Sequence, residues 1–108
     1  IHIEEFYEMG LKAVIKEARN IVGDDPTYMS FDIDGLDPAY APGTGTPEIG
    51  GLTSFEGQQI IRGLRGLNLI GGDIVEVSPP FDPSGCTALV GANLMFEMLC
   101  VISDSLAT

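Results

Sequence analysis

The chain has 108 residues, of which 44% are apolar, so it forms one small domain or part of a larger one. Sixteen Asp and Glu residues against five Lys and Arg residues give a net charge of −11, which argues against nucleic acid and anionic membranes as partners. The two cysteines lack the spacing of a disulfide framework, and we expect reduced packing residues in an intracellular protein. No apolar run is expected to span a membrane.

Helices and strands are predicted to alternate along the chain. In chain order we expect a helix over 3–22, a strand over 27–33, a helix from Thr53 to about Arg65, a strand over 67–77 and a helix over 86–102. Amphipathic spacing defines the first helix, and Gly23 follows it as a C-cap. Thr53 and Glu56 form a capping box for the second helix. The last helix is apolar on nearly all sides, so we expect it to be buried.

This order predicts a parallel β-α-β crossover covered by helices, which places the chain in the α/β class. Two strands are too few for an independent sheet, so the chain is expected to be part of a larger domain. Ligands gather beyond the carboxyl ends of parallel strands. Asp32, Asp34 and Glu76 all fall at such ends.

Three aspartates, Asp32, Asp34 and Asp37, lie within six residues directly after the first strand. Carboxylates at positions i and i+2 of a strand project from the same face. Like charges held so close are costly unless a cation lies between them. Hard divalent ions such as Mn²⁺ or Mg²⁺ prefer these oxygen ligands, so the run predicts half of a metal site.

The string from Ser30 to Pro47, SFDIDGLDPAYAPGTGTP, closely resembles the signature of the ureohydrolase family, which contains the arginases and agmatinases. The segment DIVEVSPP, from Asp73 to Pro80, is similar to a second segment of that family. The likeness covers essentially the whole chain and corresponds to the C-terminal third of a family member. It implies a three-layer α-β-α, arginase-like fold with a parallel sheet, in which residues 1–108 are the C-terminal part of a single ureohydrolase domain.

The resemblance implies that Asp32 and Asp34 are catalytic ligands of two Mn²⁺ ions in each complete active site. The ions would activate a water molecule that attacks the guanidinium carbon and releases urea and an amine. Glu76 matches the carboxylate that pairs with the substrate guanidinium. Thr46 matches a threonine near the urea-forming end, which implies that it binds the substrate. Asp37 matches no ligand and is expected to pin the loop.

Four of the six ligands expected from the family have no counterpart here, since the family supplies them from two upstream histidine-containing segments and His2 lies in neither context. We therefore expect the 108-residue chain alone to be inactive, and a non-catalytic fragment stays open as an alternative. Two other interpretations fit less well. An EF-hand loop that begins at Asp32 needs Gly where Asp37 stands. An aspartyl phosphatase of the haloacid-dehalogenase type needs Thr or Ser where Leu36 stands.

The segments APGTGTPEIGGLT and VEVSPPFDPSGCTALVGANLMFEMLC look more like agmatinases than arginases. The resemblance therefore favours hydrolysis of agmatine to putrescine and urea. Guanidinobutyrase, guanidinopropionase and proclavaminate amidinohydrolase activities are the alternatives. The resemblance also implies a small cationic guanidino substrate, a homo-oligomer (a trimer or hexamer), and an intracellular location that is cytoplasmic, or mitochondrial in a eukaryote.

Overall fold

The computed structural model describes residues 1–107, which form a two-stranded parallel sheet with helices packed against it. The elements are α1 (Ile3–Met9), α2 (Leu11–Val22), β1 (Thr27–Asp32), α3 (Ser54–Gly63), β2 (Leu69–Val75) and α4 (Cys86–Ala107), with 3₁₀ turns at Ile33–Gly35 and Pro79–Phe81. The pairing of β1 with β2 runs from Thr27 opposite Leu69 to Asp32 opposite Val75. Because α3 lies in the connection between the strands, the predicted parallel β-α-β unit is confirmed.

The core lies between the sheet and the pair of helices α3 and α4. Ile33, Ile61 and Leu69 are fully buried there, and Met98 of α4 is nearly so. Gly72 in β2 allows α4 to approach the sheet closely, because a Cβ at this position would lie 3.2 Å from the Met98 sulfur. A glycine that would weaken an isolated strand therefore serves packing here.

The prediction of one helix over 3–22 is wrong, because the chain forms two helices that meet at Gly10. Gly10 has φ 89° and ψ 154°, a conformation that only glycine adopts readily and that ends a helix. The apolar spacing is helical on both sides of Gly10, so periodicity alone did not reveal the break. Arg19 of α2 donates to the carbonyls of Gly63 and Arg65 at 3.0 and 2.7 Å and thereby attaches α2 to the end of α3.

Four other boundaries differ from the predictions by one or two residues, and one of them is the start of the second strand, at Leu69 and not at Leu67. The first strand ends at Asp32, because the chain turns into the 3₁₀ segment. The second strand ends at Val75, because Glu76 has φ 71° and cannot continue an extended strand. The capping box of α3 is present as predicted, with the Glu56 N–H donating to Thr53 Oγ1 at 3.0 Å, but α3 ends at Gly63.

The last helix, α4, is longer and far more exposed than predicted. It continues to Ala107, and its exposed side chains include Leu89, Met95, Phe96, Leu99 and Leu106. Cys86 and Cys100, which were expected to be packing residues, are exposed on it as well. Contrary to expectation, α4 is long and apolar enough to cross a membrane, with a mean hydropathy of 1.7. Its other side packs on β2 and α3, and core helices of α/β proteins have the same composition.

Candidate active site

The two predicted metal ligands lie at the carboxyl end of β1. Asp32 is the last residue of the strand, and Asp34 belongs to the 3₁₀ turn that follows it. The backbone N–H of Asp34 donates to Asp32 Oδ1 at 3.1 Å, so the chain turns around the Asp32 side chain. Strand alternation does not place the Asp34 carboxylate, because Asp34 lies in the turn and not in the strand, but the turn keeps both carboxylates at the strand end, where ligands gather.

The long loop after β1 folds back onto this turn. Thr46 Oγ1 donates to Asp34 Oδ2 at 3.0 Å. Asp37 fixes the loop by accepting hydrogen bonds from the backbone N–H groups of Ala39 and Gly50 at 2.9 and 3.0 Å. These bonds hold the pKa of the Asp37 carboxyl below its usual range. Its predicted role as a loop pin is therefore confirmed, and the loop delivers Thr46 to Asp34.

Glu76 comes directly after β2 and so reaches the same edge of the sheet. Among residues 1–107 it is the one non-glycine residue with a positive φ, 71°. Such backbone conformations cost about 1–3 kcal/mol and cluster at functional sites. The negative charge of Glu76 contributes to a raised pKa of Asp32. The structure thus brings Glu76 near the aspartates, as the topology predicted, while the chemical roles of these residues stay predictions.

The electrostatics of this edge favour a cation. Partial desolvation is the main cause of the raised pKa of Asp32, and the side chain and charge of Asp34 raise it further, whereas the Asp34 backbone N–H lowers it. Adjacent carboxylates repel unless a cation neutralises them, and Mn²⁺ and Mg²⁺ accept such oxygen ligands. Within residues 1–107, no group of three His, Cys, Asp or Glu side chains is arranged to hold a metal ion. The two aspartates therefore fit part of a metal site and do not complete one.

A cavity of about 430 Å³ lies beside Asp34. Asp34 and Glu48 are its charged lining residues, and none of the Lys, Arg or His residues in the described part of the chain lines it. Its apolar lining side chains are Ile1, Ile3, Phe6, Val14, Ile49 and Leu52. This lining favours binding of an aliphatic compound with a positive charge over binding of an anion.

Asp82, Thr87 and Gly43, for which the sequence predicted no role, meet where the loop after β1 contacts the start of α4. The Asp82 carboxylate accepts from the N–H groups of Thr87 and Ala88 in the first turn of α4 at 3.0 and 2.9 Å. Gly43 donates to Thr87 Oγ1 at 2.8 Å. An acidic residue shortly before a helix is a recognisable capping signal. The contact with Gly43 depends on tertiary packing, which local sequence patterns do not contain.

The chain is similar in sequence to known proteins. The model of the arginase family matches residues 1–100. Guanidinopropionase of Pseudomonas aeruginosa is 65% identical over 107 residues, which are 99% of this chain and 34% of that protein. The mitochondrial agmatinase of Gallus gallus is 62% identical over 99 residues, which are 92% of this chain and 28% of that protein.

Among solved structures, proclavaminate amidino hydrolase from Streptomyces clavuligerus matches with a TM-score of 0.93 and 39% identity, over 97% of this chain and 36% of that one. The predicted arginase-like α/β fold is therefore confirmed. The chain spans about a third of the length of the curated relatives it matches. A family model over residues 1–100, together with these identities, shows that the chain belongs to the arginase family.

Proposed function

We propose that the protein to which this chain belongs hydrolyses a guanidino compound to urea and an amine, and that this chain forms part of its active site. One observation carries the proposal: the carboxylates of Asp32, Asp34 and Glu76 gather at the carboxyl ends of β1 and β2 in a chain of the arginase family. A guanidinium group is a planar cation, and carboxylates at such an edge attract and orient it.

Each residue has a separate task in this proposal. Asp32 and Asp34 would hold Mn²⁺, two ions per complete site, together with ligands that these two residues do not supply. Manganese, when bound, would supply the Lewis acidity that makes water a nucleophile at neutral pH. Thr46 restrains the Asp34 carboxylate through its 3.0 Å hydrogen bond. Glu76 would accept hydrogen bonds from the substrate guanidinium and hold its carbon near the metal ligands.

Agmatine is the substrate that we propose first, as the sequence predicted. The chain's net charge of −11 and the cavity beside Asp34, with its two carboxylates, favour a substrate with a second positive charge. A guanidino acid is the second candidate, because the relative with 65% identity is named a guanidinopropionase. The chemistry at the guanidinium carbon would be the same for both substrates.

The metal assignment is tested with the full-length protein, by elemental analysis and by urea release in the presence of Mn²⁺. Asp34→Ala should empty at least one metal position and abolish turnover. Asp104→Ala is the matched control, because it also removes one carboxylate, here from an exposed ion pair that joins α4 to Arg65, two residues after α3. Full metal content and turnover in Asp34→Ala would sink the assignment. The 108-residue chain alone should bind Mn²⁺ weakly, because it offers two ligands.

We also propose that the protein is an intracellular homo-oligomer, a trimer or hexamer. The exposed apolar side of α4, with Phe96 and Leu99, leaves surface for contacts. The relative from Gallus gallus is named a mitochondrial protein, which supports an intracellular location. Light scattering of the full-length protein tests the assembly, and a monomer at micromolar concentration would contradict it.

A further inference from the structure

We propose that Thr87 and Asp82, in and just before the first turn of α4, are positioning residues. They hold Gly43 in place and thereby fix the position of the loop that carries Thr46 (the Thr46 loop) relative to Glu76. We call Gly43, Ser78, Asp82 and Thr87 the Gly43 clamp. This inference rests on the proposed function, because it gives the clamp a task in that active site. None of the four residues is one of the predicted ligands or substrate contacts.

The clamp begins with a buried threonine. Thr87 is fully buried, and its Oγ1 accepts a hydrogen bond from the Gly43 N–H at 2.8 Å. The side chain of Thr87 thus contacts Gly43, while its backbone N–H donates to Asp82. Asp82 is itself buried and fixed by the N–H groups of Thr87 and Ala88.

Gly43 fits between these residues because it has no side chain. A Cβ on Gly43 would lie 2.5 Å from the Asp82 Cβ and 2.8 Å from Thr87 Oγ1, which is closer than real Cβ atoms approach. The other side of Gly43 is also held, because its carbonyl accepts from the Ser78 N–H at 2.8 Å. Both backbone polar groups of Gly43 are therefore bound, one to α4 and one to the segment after β2.

The clamp connects the two segments that carry the candidate site. Thr46, three residues after Gly43, donates to Asp34. Ser78 lies two residues after Glu76, whose backbone is in the left-handed region. The position of Gly43 therefore sets where the Thr46 loop lies relative to Glu76. Loss of the Thr87 hydroxyl would leave the buried Gly43 N–H without its acceptor, so the loop would shift or loosen.

The test compares three variants of the full-length protein. Thr87→Val removes the hydroxyl at nearly constant shape, and Thr87→Ser keeps it. Val101→Ala is the control, because Val101 is buried on the same helix about four turns further along and its truncation also destabilises α4. Urea release gives KM and kcat, elemental analysis gives metal content, and amide hydrogen exchange reports on Gly43 and Ser78.

We expect Thr87→Val to raise KM roughly tenfold with unchanged metal content, since the clamp reaches the Glu76 segment directly through Ser78. Exchange at Gly43 and Ser78 should be faster in Thr87→Val and unchanged in Val101→Ala. Thr87→Ser should keep the KM of the unsubstituted protein and the protection of the Gly43 and Ser78 amides against exchange. On a Glu76→Gln background, Thr87→Val should raise KM little further, because it acts through a contact that is already weakened.

Each other outcome contradicts the inference. Faster exchange with unchanged KM and kcat would make the clamp purely structural and overturn the positioning role. Unchanged exchange in Thr87→Val would overturn the clamp itself. If the unsubstituted protein releases no urea from any guanidino compound, the proposed function fails and the positioning role fails with it. The exchange measurement would still decide whether Thr87 holds Gly43, so the two failures are distinguishable.

Discussion

Glu76 combines a costly backbone conformation with a position in the candidate active site. Its φ of 71° lies in the region that favours glycine, directly where β2 ends. Glycine would avoid this cost, yet the chain has a glutamate there. The strain is consistent with a side chain that is retained for its chemistry at some expense of stability. Sequence reasoning reached Glu76 through its position after a strand and through the family resemblance, but the strand pattern gave no sign of the strained backbone.

Two substitutions of Glu76 separate stability from activity. In the full-length protein, Glu76→Gln should lower kcat/KM at least about tenfold, because it removes the negative charge that would pair with the substrate guanidinium. Metal content should not change. Glu76→Gly should also lose activity, yet it should raise the free energy of unfolding by about 1 kcal/mol by relieving the positive φ. Denaturant titration and steady-state kinetics measure both effects, and wild-type kinetics in Glu76→Gln would make the residue structural.

The elements themselves were predictable to the extent that local signals define them. The capping box at Thr53 and Glu56 and the apolar run before Asp32 gave α3 and β1 to within two residues. The apolar residues have helical spacing on both sides of Gly10, so their periodicity did not reveal the break between α1 and α2. Asp34 was expected directly after a strand that ends at Ile33, but the strand ends at Asp32, and the hydrogen bond of the Asp34 N–H to Asp32 turns the chain there. Backbone dihedrals at single residues decided these differences.

Gly10→Ala tests the break between α1 and α2. A Cβ at Gly10 meets no atom within 4 Å, so the variant changes the backbone energy alone. We expect a loss of about 1–3 kcal/mol in the free energy of unfolding, because φ 89° with ψ 154° is a glycine conformation. Gly45→Ala is the control, because its Cβ is also free and its φ is not positive. Unchanged stability with a higher helix content by circular dichroism would instead mean that α1 and α2 form one helix in solution.

The start of α4 should make stability depend on pH through Asp82. Hydrogen bonds from the N–H groups of Ala88 and Thr87 hold the pKa of Asp82 below its usual 3.8. The ionised carboxylate therefore stabilises the fold above pH 3.8, and this contribution is lost as the pH falls through the lowered pKa. Asp82→Asn should melt at a lower temperature than the wild type at neutral pH, and the difference should narrow in acid. A difference that stays constant down to the lowest pH would exclude this linkage.

At the scale of the whole molecule, the sequence predicted the class of fold and the sheet edge at which the candidate site residues lie, but not how much of the apolar surface is exposed. The apolar side of α4 was expected to be buried, and Phe96 and Leu99 are each more than half exposed. Composition reports which residues are apolar, whereas burial depends on what packs against them. Similarly, Asp32 and Asp34 indicated a metal site. Within residues 1–107, however, no group of three His, Cys, Asp or Glu side chains is arranged to hold a metal ion, so patterns in this chain do not define a complete ligand set.

We expect the charge of the whole site to decide which substrate the full-length protein prefers. Agmatine carries a second cationic amine where guanidinobutyrate and guanidinopropionate carry a carboxylate. The chain has a net charge of −11, and the cavity beside Asp34 has two carboxylates and an apolar wall, so a dication should be preferred. With the full-length protein and equal substrate concentrations, urea release should be fastest from agmatine, and the preference should weaken at high salt because screening reduces attraction between exposed charges. Faster release from guanidinopropionate would reverse the ranking and agree with the 65% identity to a guanidinopropionase. In that case we expect the full-length site to hold a cationic side chain that faces the far end of the substrate, since the described lining residues include no Lys, Arg or His.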